Sequence, residues 1–153
     1  MTDMKRILAT IAIILLAAAL SWAQEGLQIS HLFNGSFRPD STVSTTTAVG
    51  GSLKSYKLET FQSIKFIASD DDIEKVSSWI MADSRNSSDI DITRDKGRMT
   101  YALICLDTDR AKHKYIGYQL KETNGSKSVT VVYMVGKASK DQLLRFFGKR
   151  MTL

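Results

Sequence analysis

Cysteine, proline and histidine are nearly missing from this sequence, which has one cysteine, one proline and two histidines in 153 residues. A lone cysteine, Cys105, excludes an intramolecular disulfide, so stability has to come from a packed core. It sits in the apolar run 101–106 and reads as a buried, inert thiol. A reactive thiol needs an exposed place beside a base or a helix N-terminus, and its neighbours in sequence supply neither. His31 and His113 lie far apart, and neither has a second His, Cys or carboxylate at ligand spacing, so the pattern of a histidine metal centre is missing.

Long apolar runs are also scarce. The one that exists spans residues 7–20, follows Lys5 and Arg6, and ends in Ser21, Trp22 and Ala23. A basic start, an apolar middle and small residues at positions −3 and −1 form a secretory signal peptide. Cleavage is expected between Ala23 and Gln24, leaving residues 24–153 as a single domain. The competing reading is an uncleaved anchor, but the run is shorter than the about 20 apolar residues a spanning helix needs. The residue directly after the cut is Gln24 and not cysteine, so a lipid anchor is not expected, and no second apolar run predicts stable membrane insertion after processing. The net charge is +5, and loss of Asp3, Lys5 and Arg6 leaves +4. A mildly basic surface favours anionic contacts without specifying an activity. The basic residues are scattered rather than gathered with aromatics on one strand face, so nucleic acid is not an expected partner.

What is present reads as a mixed pattern of helices and strands. Residues 24–33 carry apolar positions Leu27, Ile29, Leu32 and Phe33 at loosely helical spacing, closed by Asn34-Gly35. Residues 36–51 are rich in Ser and Thr, with 41–49 read as either an edge strand or a loop. Residues 54–67 suggest one or two strands. Ser69 before three aspartates looks like a cation site, but a helix start wants the same residues, and Ile73, Val76, Trp79 and Ile80 follow on one helical face. Three β-patterned runs at 98–106, 112–121 and 128–135 form a meander, with Asn124-Gly125 as a hairpin turn. The third run is apolar on both faces and belongs near the middle of a sheet. Ser139-Lys140-Asp141-Gln142 caps a last short helix. The fold class is therefore α+β. An antiparallel sheet of about four to six strands is expected, with helices packed on one face as a two-layer sandwich.

Catalytic patterns are sparse. Asp89-Ile90-Asp91 and Asp107-Thr108-Asp109 echo a calcium loop without its later glycine and glutamate. No serine has the Gly-x-Ser-x-Gly setting. A Cys105–His113 couple across the first hairpin lacks a third group. Carboxylate pairs such as Glu59 with Asp70, or Asp83 with Asp89, depend on separations that sequence does not supply. No cofactor is implied, and the sequons at Asn34, Asn86 and Asn124 read as turns.

The stretch VTVVYMVGKASKDQLLRFFG at 129–148, with GRMTYALICL at 97–106, KYIGYQL at 114–120 and the leader, resembles small exported proteins of Bacteroidetes grouped as domains of unknown function. The resemblance implies an envelope or secreted location and a short-strand α+β fold, and it brings no catalytic residue set. It also implies Ser41 as an O-glycosylation site, because Asp40-Ser41-Thr42 matches the pattern at which exported proteins of those bacteria are modified.

These readings combine into an exported domain in the periplasm or outside the cell, acting as a non-catalytic binding or accessory protein with a protein or glycan partner. Tyr101 and Tyr115 are its candidate partner surface, on a sheet face left uncovered by helices; the stronger alternative is that these tyrosines fill the core or shield the sheet. Two alternatives stand beside it. One is an envelope hydrolase acting on glycan or peptide; the other is a self-associating structural component that uses the 41–49 strand as an edge.

Overall fold

A computed structural model describes residues 26–39, 41–87, 89–106 and 112–147. The expected leader and its cut between Ala23 and Gln24 lie outside the described residues. Residues 26–38 form a unit of their own. In it, successive i→i−3 backbone bonds, such as Leu32 N–H to Ile29 at 2.9 Å, lead into a single helical turn, α1 (Ser30–Phe33). The turn closes where Asn34 donates to Ser30 and Gly35 takes a φ of 80°. That is the stop expected from Asn34-Gly35, on a helix shorter than its apolar spacing suggested.

The second unit is mostly β with some helix. Its strands are β1 (Ser44–Val49), β2 (Leu58–Ile67), β3 (Asp89–Asp95), β4 (Arg98–Leu106), β5 (His113–Thr123) and β6 (Ser126–Gly136). They form one open antiparallel sheet in the order β1-β2-β6-β5-β4-β3. Residues 41–49 resolve as an edge strand over their second part. Residues 54–67 divide into the end of a 3-10 segment (Gly50–Tyr56) and the single strand β2. The meander is β4-β5-β6, turned at Asn124 (φ 53°) and Gly125 (φ 77°). β6 runs near the middle, and its residues from Val129 to Gly136 are buried.

The register defines the two faces. Ala48, Phe61, Met134, Tyr115, Cys105 and Asp89 lie in one row across all six strands. Val132 and Leu103, two residues along, share this face. Here Phe61, Tyr101, Leu103, Tyr115, Val132 and Met134 pack with Leu53 of the 3-10 segment and Leu143 of α3 (Lys140–Phe147). Ile64, Val131, Tyr118 and Ala102 form a row on the opposite face. α2 (Asp70–Asp83) meets that side. Asp70 at its start pairs with Arg98 and Lys127, and Ser77 stands beside the Tyr118 hydroxyl. Helix contacts therefore fall on both faces, where the sequence pattern suggested one. Apolar spacing gives a helix a wet and a dry side, but does not say which sheet face the chain crosses to.

Gly136 is a steric requirement. A Cβ there would lie 2.5 Å from the Lys57 carbonyl oxygen and 2.7 Å from the Leu58 Cα. The backbone at the start of β2 crosses close over this point, and β2 shifts register between Leu58 and Thr60 beside it.

Candidate functional site

The acidic triplet after Ser69 is a helix start. Ser69 Oγ accepts from the Asp72 amide at 3.1 Å, and the Asp72 carboxylate accepts from the Ser69 amide at 3.2 Å. Asp70 accepts from Lys127 Nζ at 2.7 Å and pairs with Arg98 at 3.1 Å. The Lys127 hydrogen bond and charge, then Arg98, hold its carboxyl below the usual range. Negative charge in a first helical turn is favoured in itself, so both cap and counterion roles account for these residues.

Past Asp70, α2 runs beside the β3–β4 hairpin. Lys96 (φ 49°) and Gly97 (φ 82°) make its two-residue turn, the left-handed pair a tight hairpin requires. Between helix and hairpin lies a cleft of about 420 Å³, lined by Ile73, Glu74 and Ser77 on one side and by Arg94, Lys96, Gly97, Arg98 and Met99 on the other. A second cleft of about 400 Å³ shares Lys96 and Arg98 and adds Asp95, Thr100, Leu120 and Glu122. The Arg94 guanidinium donates to the Gly97 carbonyl at 3.3 Å and lies 4.0 Å from the Met81 sulfur. Both are neutral groups. Neither Arg94 nor Lys96 makes an ion pair among the described residues. Charge is thus presented at this cleft over an apolar floor of Ile73 and Met99, both buried.

The tyrosines expected at a partner surface are not there. Tyr101 is 5 % exposed and Tyr115 1 %, and both belong to the core beneath α3. Tyr115 donates to the Ala138 carbonyl at 2.6 Å, fixing the chain just ahead of α3. Burial first, then the nearby Asp91, pushes Tyr101 up to about 12. Burial, with Cys105 and Asp89 nearby, raises Tyr115 as well. Their burial matches the alternative reading of the sequence, in which they fill the core.

The other candidates disperse. Cys105 faces Tyr115 across the β4–β5 pair, and the His113 ring lies 6.0 Å from that of Tyr115. The tyrosine thus stands next to both members of the imagined couple. Ser41 Oγ donates to the Ile67 carbonyl at 2.7 Å, pinning the chain ahead of β1 to the end of β2. Glu59 pairs with Lys112 at 2.8 Å and Asp89 with Lys140 at 2.6 Å. Among the described residues, no three His, Cys, Asp or Glu side chains gather at metal-binding distance, and no helix is long and apolar enough to cross a membrane. Arg94, Lys96 and Arg98 are what sequence reading passed over. Their signal is the charged run Arg-Asp-Lys-Gly-Arg at 94–98, where Lys-Gly occupies turn positions more often held by Asn-Gly.

No curated protein matches the chain. A family profile does, over residues 16–147, and its description is a family of unknown function (DUF6108). The chain, with its six-stranded antiparallel sheet and short helices, belongs to that family.

Proposed function

We propose that the processed chain is a non-catalytic binding domain of the cell envelope of a Bacteroidetes bacterium. It would be exported to the periplasm or beyond and carry no lipid anchor. Its contact site is the cleft between α2 and the β3–β4 hairpin, and its ligand is an acidic group on an envelope glycan or protein. The observation that carries this reading is the pair of cations, Arg94 and Lys96, held at that cleft without carboxylate partners. An arginine fork matches a carboxylate or phosphate in two bonds, and a lysine adds a point charge beside it. The Ser77 hydroxyl and the apolar floor suit a ligand whose acidic group is carried on a larger frame.

Titration calorimetry with uronic-acid and sulfated polysaccharides, and with neutral dextran as the blank, tests it. Arg94→Glu with Lys96→Glu should weaken binding of the acidic polymers by at least about tenfold, or about 1.4 kcal/mol. Lys54→Glu together with Lys65→Glu makes the same charge change at exposed positions in the 3-10 segment and β2, away from the cleft, and should change it little. Equal losses in the two double variants would show a general charge effect and overturn the cleft assignment.

A further inference from the structure

β1 is the outermost strand, bonded to β2 on one side. Its register with β2 runs unbroken from Ser44↔Lys65 to Val49↔Thr60, and Ser44 to Thr47 are exposed on both faces of the ribbon. Its outer edge therefore offers backbone N–H and C=O groups in a regular row, the template another strand pairs with. No charge, proline or bulge blunts it.

The sequence along this edge says which strand fits. Residues 43–49 read Val-Ser-Thr-Thr-Thr-Ala-Val, nearly the same in both directions. We propose that a second copy of this chain occupies the edge, with the two β1 strands antiparallel about a two-fold axis through Thr46.

Geometry sets that centre. A two-fold perpendicular to the sheet keeps each copy's faces on the same sides, so a residue can oppose only a residue of its own face. The axis must then pass through a residue and not between two. Centred on Thr46, it sets Thr46 against Thr46, Thr45 against Thr47, Ser44 against Ala48, and Val43 against Val49. Every pair is matched in size, no charge meets a charge, and β-branched residues face each other at three of the four kinds of pair. Cross-strand Thr–Thr pairs stabilise an antiparallel pairing. Moving the axis to Ala48 would bring Thr46 against Gly50, where the 3-10 segment has already begun. The result is one continuous sheet across two copies. It goes beyond the binding reading and does not depend on it, since the Arg94–Lys96 cleft lies toward the opposite edge.

The test uses the chain expressed with its full sequence and purified as processed, in a Cys105→Ser background. Directly opposed residues in an antiparallel pair have Cα atoms about 4.5–5.5 Å apart, within the span of a disulfide. Thr46→Cys should therefore join two copies when diamide takes up the two electrons released by the thiols. Thr45→Cys, which opposes residue 47 instead, should join them far less. Sedimentation equilibrium of the unsubstituted chain should show mass rising toward twice the monomer with concentration. Thr46→Lys, with an unchanged circular dichroism spectrum, should hold it at the monomer. A monomer mass at every concentration, or equal cross-linking at positions 45 and 46, would overturn the proposal. Capture of a foreign strand on this edge in place of a second copy would overturn it too.

Discussion

At one edge of the sheet, β3 carries Asp89, Asp91, Arg94 and Asp95, shifts register between Thr93 and Arg94, and is tied to α3 through Asp89 and Lys140. At the other edge, β1 carries no charge and holds its register over six residues. Charges and bulges on an edge strand oppose the docking of another chain, so β3 has the features of a strand kept from pairing and β1 does not. The contrast separates two kinds of contact on one small sheet. The β3 side meets partners through side chains at a charged cleft, while the β1 side offers its backbone.

The strongest way to break the comparison is at the root of the β1 side. Gly136→Ala would press a methyl group into the backbone of Lys57 and Leu58, and should destabilise the fold by about 2–4 kcal/mol in urea unfolding. Exchange of β2 and β1 amides should rise before that of β3. On the other side, Tyr115→Phe removes the 2.6 Å bond to Ala138 and leaves that carbonyl unpaired ahead of the helix that grips β3. Its expected cost is about 1–3 kcal/mol by the same measurement. Ser69→Ala removes the cap that sets Asp70 against Arg98 and Lys127. About 1 kcal/mol is expected, with looser exchange along α2. Smallest of all should be Tyr118→Phe. The Tyr118 hydroxyl is buried beside Ser77 without a well-formed hydrogen bond, so a change within about 0.5 kcal/mol is expected.

Alkaline pH loads both sides at once through the tyrosines. Burial raises Tyr101 and Tyr133 to about 12 and raises Tyr118 as well. A group whose pKa is raised by folding contributes stability that is complete below its unfolded value, about 10, and is lost as pH rises through the folded value. The fold should therefore weaken from about pH 10 toward 12. Phenolate absorbance should then rise together with loss of the circular dichroism signal. Phenolate absorbance that rose fully before any loss of structure would contradict the burial of these rings.

The meander was legible because its β-branched and aromatic runs are set apart by short polar breaks and Asn124-Gly125 announces the turn. The Ser69 cap was legible because capping is local chemistry. β3 was not. Aspartate is a poor strand former, so Asp89 and Asp91 pointed to a loop, and the strand exists through its seven-residue pairing with β4. Nor could sequence name the partner of the Tyr115 hydroxyl, since Ala138 and α3 arrive from more than twenty residues away. The cleft escaped notice for a related reason. Arg94, Lys96 and Arg98 gain meaning from α2, which precedes them in the chain and meets them in space.

Hydrogen exchange of the processed chain at low and high concentration tests the difference between the edges most directly. As concentration rises, the outward amides among Ser44–Ala48 should become slower to exchange, while those of Asp89–Asp95 stay the same. Unchanged β1 amides, or slowing at β3 instead, would contradict the account.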